Sequence, residues 1–400
     1  MIYLFNLNNY IGGGEVYVIA FAKYLKNNSI EYNLICSKNS FISAKAEEKK
    51  LNYLIWPSKQ LSINYASKSQ KSSFNFFFKN LNLKSNDIIL ACNMRELYTS
   101  IHFLKKNFFQ IRTIILHPEE YKYLASGSIY KSKYYNRNRF LLKLLDSHKL
   151  VVYPNKNTRN ISLACDEDCL NIFPFPVANS NYDSLPSNLQ TDTVKIIIIS
   201  RFVSFKISTI LSLIKTVHNN SNYELTIIGY GPWKFLLKVY LYIYNTNRII
   251  TINKLQPEEL RNYILKSNIG VAQGTSILQI IKFNRPVIIA PYSKWYSFLF
   301  ESVKSPGIFG IENKINWGDI YWNLENEKYT FEFLIAKVLK DYNQYVNCTK
   351  AIRDQLDEKI IFNDLYKYIS TYSQFIVPDN FKIPTPPFLK LFFRRIKTIF

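Results

Sequence analysis

Two cations and a few glycine turns are the residues of this chain best suited to chemistry. Arg201 and Lys206 stand five positions apart, directly after the apolar run KIIIIS at 195–200. Gly274, Thr275 and Ser276 open a helical pattern after a second apolar run at 268–272. A helix start leaves backbone N–H groups unpaired and carries the positive end of the peptide dipoles, so it attracts anions. Two positive side chains delivered to the same end of a sheet would add the charge that those groups lack. A diphosphate needs both, several donors and neutralisation. Either feature alone is an ordinary turn or a solvated base; only their coincidence in one stretch, 195–291, makes an anion site.

Other residues invite the same scrutiny. Gly229 and Gly231 flank Tyr230 at the end of the apolar run 223–228, and Gly12-Gly13-Gly14-Glu15 separates the first apolar run from the first helical pattern. Gly13 and Gly14 there would allow backbone to approach a ligand closely. His117 follows a run at 111–116 and precedes Glu119 and Glu120, so it could hold or pass a proton. Five cysteines, an odd number, give no disulfide framework. Cys165 and Cys169 lack the His or second Cys pair that would complete a metal site.

Positioning such residues takes a parallel sheet. Short β-branched runs alternate with helical patterns through 195–291, which reads as strands buried by helices on both faces. In such sheets ligands sit at the carboxyl ends of the strands, where the glycines and both cations fall. The first half repeats the scheme, with strands expected at 1–7, 32–36, 53–56, 87–92, 111–116, 149–153 and 170–176. A basic, aromatic helix is expected at 129–144. The stretch 178–193 is rich in Ser, Asn, Asp and Pro and reads as a linker. Helical stretches at 331–345 and 351–372 close the second half. The expected organisation is therefore α/β throughout: one domain at 1–177, a second at 178–377, and a separate tail at 378–400.

The second half resembles GT-B glycosyltransferases of family 4 (group 1). The resemblance rests on the strand followed by Arg201 and Lys206, the Leu-x-Ile-x-Gly-x-Gly-Pro segment at 225–232, and Glu258-Glu259-Leu260 at a helix start. A glycine turn and a Pro-Val-Ile strand at 286–288 complete it. It implies a GT-B fold, two Rossmann-like domains with a cleft between them. It also implies a nucleotide-sugar donor whose diphosphate meets Arg201, Lys206 and the turn Gly274-Thr275-Ser276, with Gly229 and Gly231 nearby. The Gly13-Gly14 turn would face the cleft, and His117 matches a histidine near the donor sugar. By the same resemblance the acceptor is a glycan or a lipid-linked sugar, and the anomeric configuration is retained. The setting is polysaccharide biosynthesis. No cofactor is implied, and no carboxylate cluster suggests a metal.

The chain departs from this family at one pair. Two glutamates usually lie eight positions apart around the glycine turn, and counting from Gly274 puts them at Val271 and Gln279. Gln279 can still hydrogen-bond a donor ribose, without charge; Val271 cannot replace its counterpart. Two readings stay open: an active transferase with altered donor geometry, or a GT-B protein that has lost catalysis and serves as a binding or scaffolding subunit.

Lys and Arg exceed Asp and Glu by 51 to 29, a net charge of +22. Such an excess favours anionic partners. Nucleic acid is set aside because no recognised motif for it appears. No run is apolar enough to span a bilayer and the first ten residues lack a signal peptide's basic start, so the expected location is cytoplasmic. In the tail, Pro384, Pro386 and Pro387 precede a helical pattern at 388–400 with aromatic and aliphatic residues on one face. Lys390, Arg394 and Lys397 lie opposite, with Arg395 at the boundary. That pattern implies an anionic membrane surface as partner, met peripherally at the inner face of the plasma membrane.

Overall fold

The isoleucine run at 195–200 becomes the centre of a sheet. In the computed structural model, which describes residues 1–9, 12–58, 66–104, 110–116, 133–163, 171–178, 193–244, 247–291, 293, 303–310 and 329–371, the chain divides into two compact units. Unit 1 comprises Met1–Pro174 and Ile361–Phe400, and unit 2 comprises Phe175–Ile360.

Unit 1 holds a six-stranded parallel sheet of β1 (Ile2–Phe5), β2 (Tyr32–Cys36), β3 (Tyr53–Ile55), β4 (Ile88–Ala91), β5 (Gln110–Ile114) and β6 (Val151–Val152). The strand order is β3-β2-β1-β4-β5-β6. Its helices are α1 (Gly13–Asn27), α2 (Phe41–Glu48), α3 (Lys68–Asn80), α4 (Met94–Leu104), α5 (Lys133–Ser147) and α6 (Lys156–Leu163). Tyr3 and Phe5 enter one core with Trp56, Phe74 and Phe78, while Ile2 and Leu4, pointing the other way, are buried as well. Burial on both faces explains why β1 and β4 read as unbroken apolar runs.

Unit 2 repeats the plan with β7 (Val194–Ile199), β8 (Tyr223–Ile228), β9 (Ile249–Ile252), β10 (Ile269–Ala272) and β11 (Val287–Ile289), in the order β11-β10-β7-β8-β9. The helices are α7 (Ser204–Asn219), α8 (Lys234–Ile243), α9 (Pro257–Lys266), α10 (Thr275–Ile281), α11 (Phe331–Lys340) and α12 (Tyr342–Gln355). Ile196 and Ile198 pack into one core and Ile197 into the other, the two-residue alternation of a strand covered on both sides. A last helix, α13 (Glu358–Ser370), begins in unit 2 and carries the chain into unit 1, where Phe362 packs against Tyr17, Phe21 and Tyr24.

The structure differs from expectation at three places. Residues 171–178 make no strand ladder; Ile172 and Val177 form isolated bridges to Tyr153 and Asp357. The two closing helical stretches are three helices, broken at Asp341 and again around Leu356 and Asp357, where the chain pairs with Val177. Finally, the second domain does not run to 377, because residues from Ile361 onward belong to unit 1. Most of the expected linker and the whole tail lie outside the described residues.

Candidate functional site

In unit 2, β7 has β10 on one side and β8 on the other, so consecutive connections leave it in opposite directions. Loops diverge at such a switch point and open a crevice beyond the strand ends. A shallow recess lies at that place. Its walls are Ile198, Ile199 and Ser200 from the end of β7, Ala272 and Gln273 from β10, Ala290 and Pro291 beyond β11, and Lys206 and Thr209 from α7.

Lys206 reaches the recess because α7 starts at Ser204, which puts the lysine in its first turn and Thr209 one turn further on. Burial, with Arg201 adding repulsion, pushes the Lys206 ammonium down to about 8. Among the described residues it makes no hydrogen bond or ion pair; its Nζ lies 5.8 Å from the centre of the Phe205 ring. Thr209 is 1% exposed, and its hydroxyl has no partner among the described residues. A partly buried cation without a counter-ion and a buried donor without an acceptor, both among the described residues, are costly alone, and one anion would satisfy both. Arg201 is exposed on the loop just before α7.

The glycines serve this loop in different ways. A Cβ on Gly229 would stand 1.7 Å from the Ser200 carbonyl oxygen, and one on Gly231 would stand 2.4 Å from that of Phe202. Phe202 N–H donates to the Tyr230 carbonyl at 2.8 Å, and Trp233 N–H to the Phe202 carbonyl at 3.1 Å. Both glycines therefore hold the Arg201 loop against the turn after β8, and neither lines the recess. Gly274 is the N-cap of α10 with φ +63°, and nothing lies within 4 Å of where its Cβ would be. Its backbone demands glycine while the space above stays open. Thr275 and Ser276 follow at the start of α10, a helix of only seven residues.

The two positions counted from Gly274 fall in different surroundings. Val271 is the third residue of β10, fully buried in the core between Ile198 and Ile288, so it faces no ligand. Gln279 is exposed on α10 and does not line the recess. Gln273, which the sequence does not single out, is one of the polar side chains that do line it. Its position as the last residue before the glycine turn was the available signal, since β10 ends at Ala272.

Unit 1 has its own switch point, between β1 and β4. The Gly12–Gly14 turn lies there as the start of α1, and a Cβ on Gly14 would meet Leu116 at 3.2 Å. The turn thus packs on the residue immediately before His117; His117, Glu119 and Glu120 themselves lie outside the described residues. A polar chain unforeseen from sequence surrounds the turn. Asn8 Nδ2 donates to Glu15 Oε1 at 2.6 Å, Arg95 Nη2 to Asn8 Oδ1 at 2.9 Å, and both Arg95 Nε and Leu7 N–H to Glu96 Oε1 at 3.0 Å. Burial holds Glu96 above the usual carboxylate range, against the opposing pull of Arg95 and the Leu7 N–H. Among the described residues no three His, Cys, Asp or Glu side chains are grouped to hold a metal, and no helix is long and apolar enough to cross a membrane.

No protein-family profile matches the sequence, and no curated protein matches it. Solved structures do resemble it. HepE from Anabaena, in complex with UDP and glucose, superposes with a TM-score of 0.61 over 92% of this chain and 99% of that one, at 13% identity. The lipopolysaccharide outer core galactosyltransferase WaaB superposes with a TM-score of 0.61 over 92% and 98%, at 12% identity. A putative UDP-N-acetylglucosamine 2-epimerase from Listeria monocytogenes gives a TM-score of 0.53 over 92% and 95%, at 13% identity. At such identities the likeness concerns the fold: two parallel-sheet α/β units, the GT-B fold that transferases and an epimerase share.

Proposed function

We propose that the protein is a glycosyltransferase that moves a sugar from a nucleotide-diphosphate donor to a glycan or lipid-linked acceptor. The observation that carries this reading is the Lys206 ammonium, without a counter-ion among the described residues, lining with Thr209 the recess at the switch point of unit 2. When the bond from the anomeric carbon to the diphosphate oxygen breaks, charge builds on the leaving phosphate. Lys206 and Arg201 would neutralise it, with Gln273, the open backbone at Gly274 and the N–H groups of Thr275 and Ser276 as further partners. Charge neutralisation is thus given to side chains, and the reading requires neither metal nor cofactor. His117 is assigned to the sugar, and Gln279 to the donor's ribose side. Retention of configuration and a role in surface polysaccharide assembly complete the reading; the relatives in fold include a lipopolysaccharide galactosyltransferase. The basic tail, with Lys390, Arg394, Arg395 and Lys397, is assigned to the cytoplasmic face of an anionic membrane.

Calorimetry against UDP, GDP, ADP and dTDP tests the binding half. One diphosphate should bind, and Lys206→Ala should weaken it by ~1.5–3 kcal/mol, the scale of a charge-assisted hydrogen bond. Equal affinity in the two proteins would refute the assignment.

A second reading has its own support, since no carboxylate lines the recess among the described residues. A protein that binds nucleotide sugars without turning them over would serve as a scaffold. Incubation with the bound nucleotide sugar, followed by assay for released diphosphate and for transferred or epimerised sugar, separates the two.

A further inference from the structure

The outward face of α8 is apolar where a surface helix is ordinarily polar. Leu237 is buried, and Trp233, Leu236, Tyr240 and Leu241 pack on the core of unit 2, so the inner side is fully used. On the outer side Phe235 is 62% exposed, Val239 50%, Tyr242 87% and Ile243 62%. At 100° per residue these four fall within one third of the helix circumference. Tyr230, just before the helix, is exposed as well. Lys238 and then Lys234 border this stripe along one side, and Lys234 is held by Asn253 Oδ1 at 2.6 Å.

We propose that this face docks on an anionic lipid bilayer. From 225 to 257 the chain carries Lys234, Lys238, Arg248 and Lys254 and no Asp or Glu at all. A stripe of two aromatic and two aliphatic residues beside lysines, with no acid near it in sequence, is the make-up of an interfacial helix. A second copy of this chain fits less well. It would bring its own excess of 22 positive charges to the same surface, where a bilayer brings negative ones. The surface belongs to unit 2 and shares no residue with the recess.

Flotation of the full-length protein with phosphatidylcholine vesicles, with and without phosphatidylglycerol, tests this. The protein should float with the anionic vesicles at low salt and not with the neutral ones. Phe235→Gln/Val239→Gln/Tyr242→Gln should lower partition at least about tenfold, since it removes the apolar contact while the tail stays intact. Lys238→Glu, which touches no core contact and so guards against misfolding of the triple variant, should lower it about fivefold or more. The proposal is overturned if the parent binds neutral vesicles equally well or binds none. It is also overturned if both variants float like the parent, or if light scattering shows a dimer that the triple variant dissolves, which would make a second copy the occupant.

Discussion

Lys206 is where the chemistry of a single side chain can be read most directly. Burial first, and Arg201 second, lower its ammonium to about 8 from the ordinary 10.5. Because the unfolded chain keeps the higher value, it binds more protons than the folded one between these limits. Stability therefore rises as pH climbs from about 8 to 10.5, and below 8 the fold bears the cost of a charged buried lysine. Binding a diphosphate has the opposite dependence. The anion stabilises the protonated form, so above pH 8 binding must take up a proton, and affinity falls by up to about tenfold per pH unit. Lys206→Arg, which stays charged, should flatten the profile. Calorimetry from pH 7 to 9.5, in two buffers of different ionisation enthalpy, would reveal the proton uptake. A flat profile in the parent would show that Lys206 does not meet the anion.

Between elements, the contact that matters most is the one joining the loop after β7 to the turn after β8. Gly229 and Gly231 allow it by having no Cβ, and the Phe202 hydrogen bonds fasten it. Gly229→Ala would force a methyl group into the Ser200 carbonyl and should cost about 3 kcal/mol or more, because backbone cannot yield as a side chain can. Gly274→Ala meets no atom and bears only the strain of an alanine at φ +63°, about 1–3 kcal/mol. Urea denaturation should rank the first substitution as the more destabilising. The second should act chiefly on nucleotide binding, by covering the open space above the turn. The reverse order would mean that the glycine after β8 is not the wedge described here.

At the scale of the molecule, α13 decides what can be removed. Its Phe362, Leu365 and Ile369 are fully buried, and Phe362 meets three aromatic residues of α1. Arg112 in β5, its own value lowered to about 10 by burial, donates from Nη2 to the Thr371 carbonyl at 3.0 Å just beyond the helix. A cation at a helix C-terminus is favourably placed. Ending the chain after Thr371 should thus leave both units folded, whereas ending it after Asp357 should unfold unit 1. Phe362→Ala should cost about 3–5 kcal/mol. Circular dichroism and limited proteolysis of the two truncated chains check this; a shorter chain with intact unit 1 would contradict it.

Local order was legible from the sequence wherever one kind of side chain fills both faces of an element. Strands β1, β4 and β10 and the Ile196–Ile199 part of β7 are unbroken apolar runs because helices cover them on both sides, and the turns at Gly229 and Gly274 are written in residues that no other type replaces. So were Arg201 and Lys206 as neighbours at one strand end, since five residues from a strand into a helix leave little freedom. What tertiary structure alone decided depends on residues distant in sequence. Counting along the chain matched Val271 and Gln279 to the family's two glutamates; strand pairing with Ile198 and Ile288 buries Val271, while Gln273 lines the recess with Lys206 and Thr209. The helical pattern after 351 looked like the end of the second domain, yet its apolar face fits α1 of the first. Periodicity says that a face must be buried; which surface buries it is settled only by the packing of the whole chain.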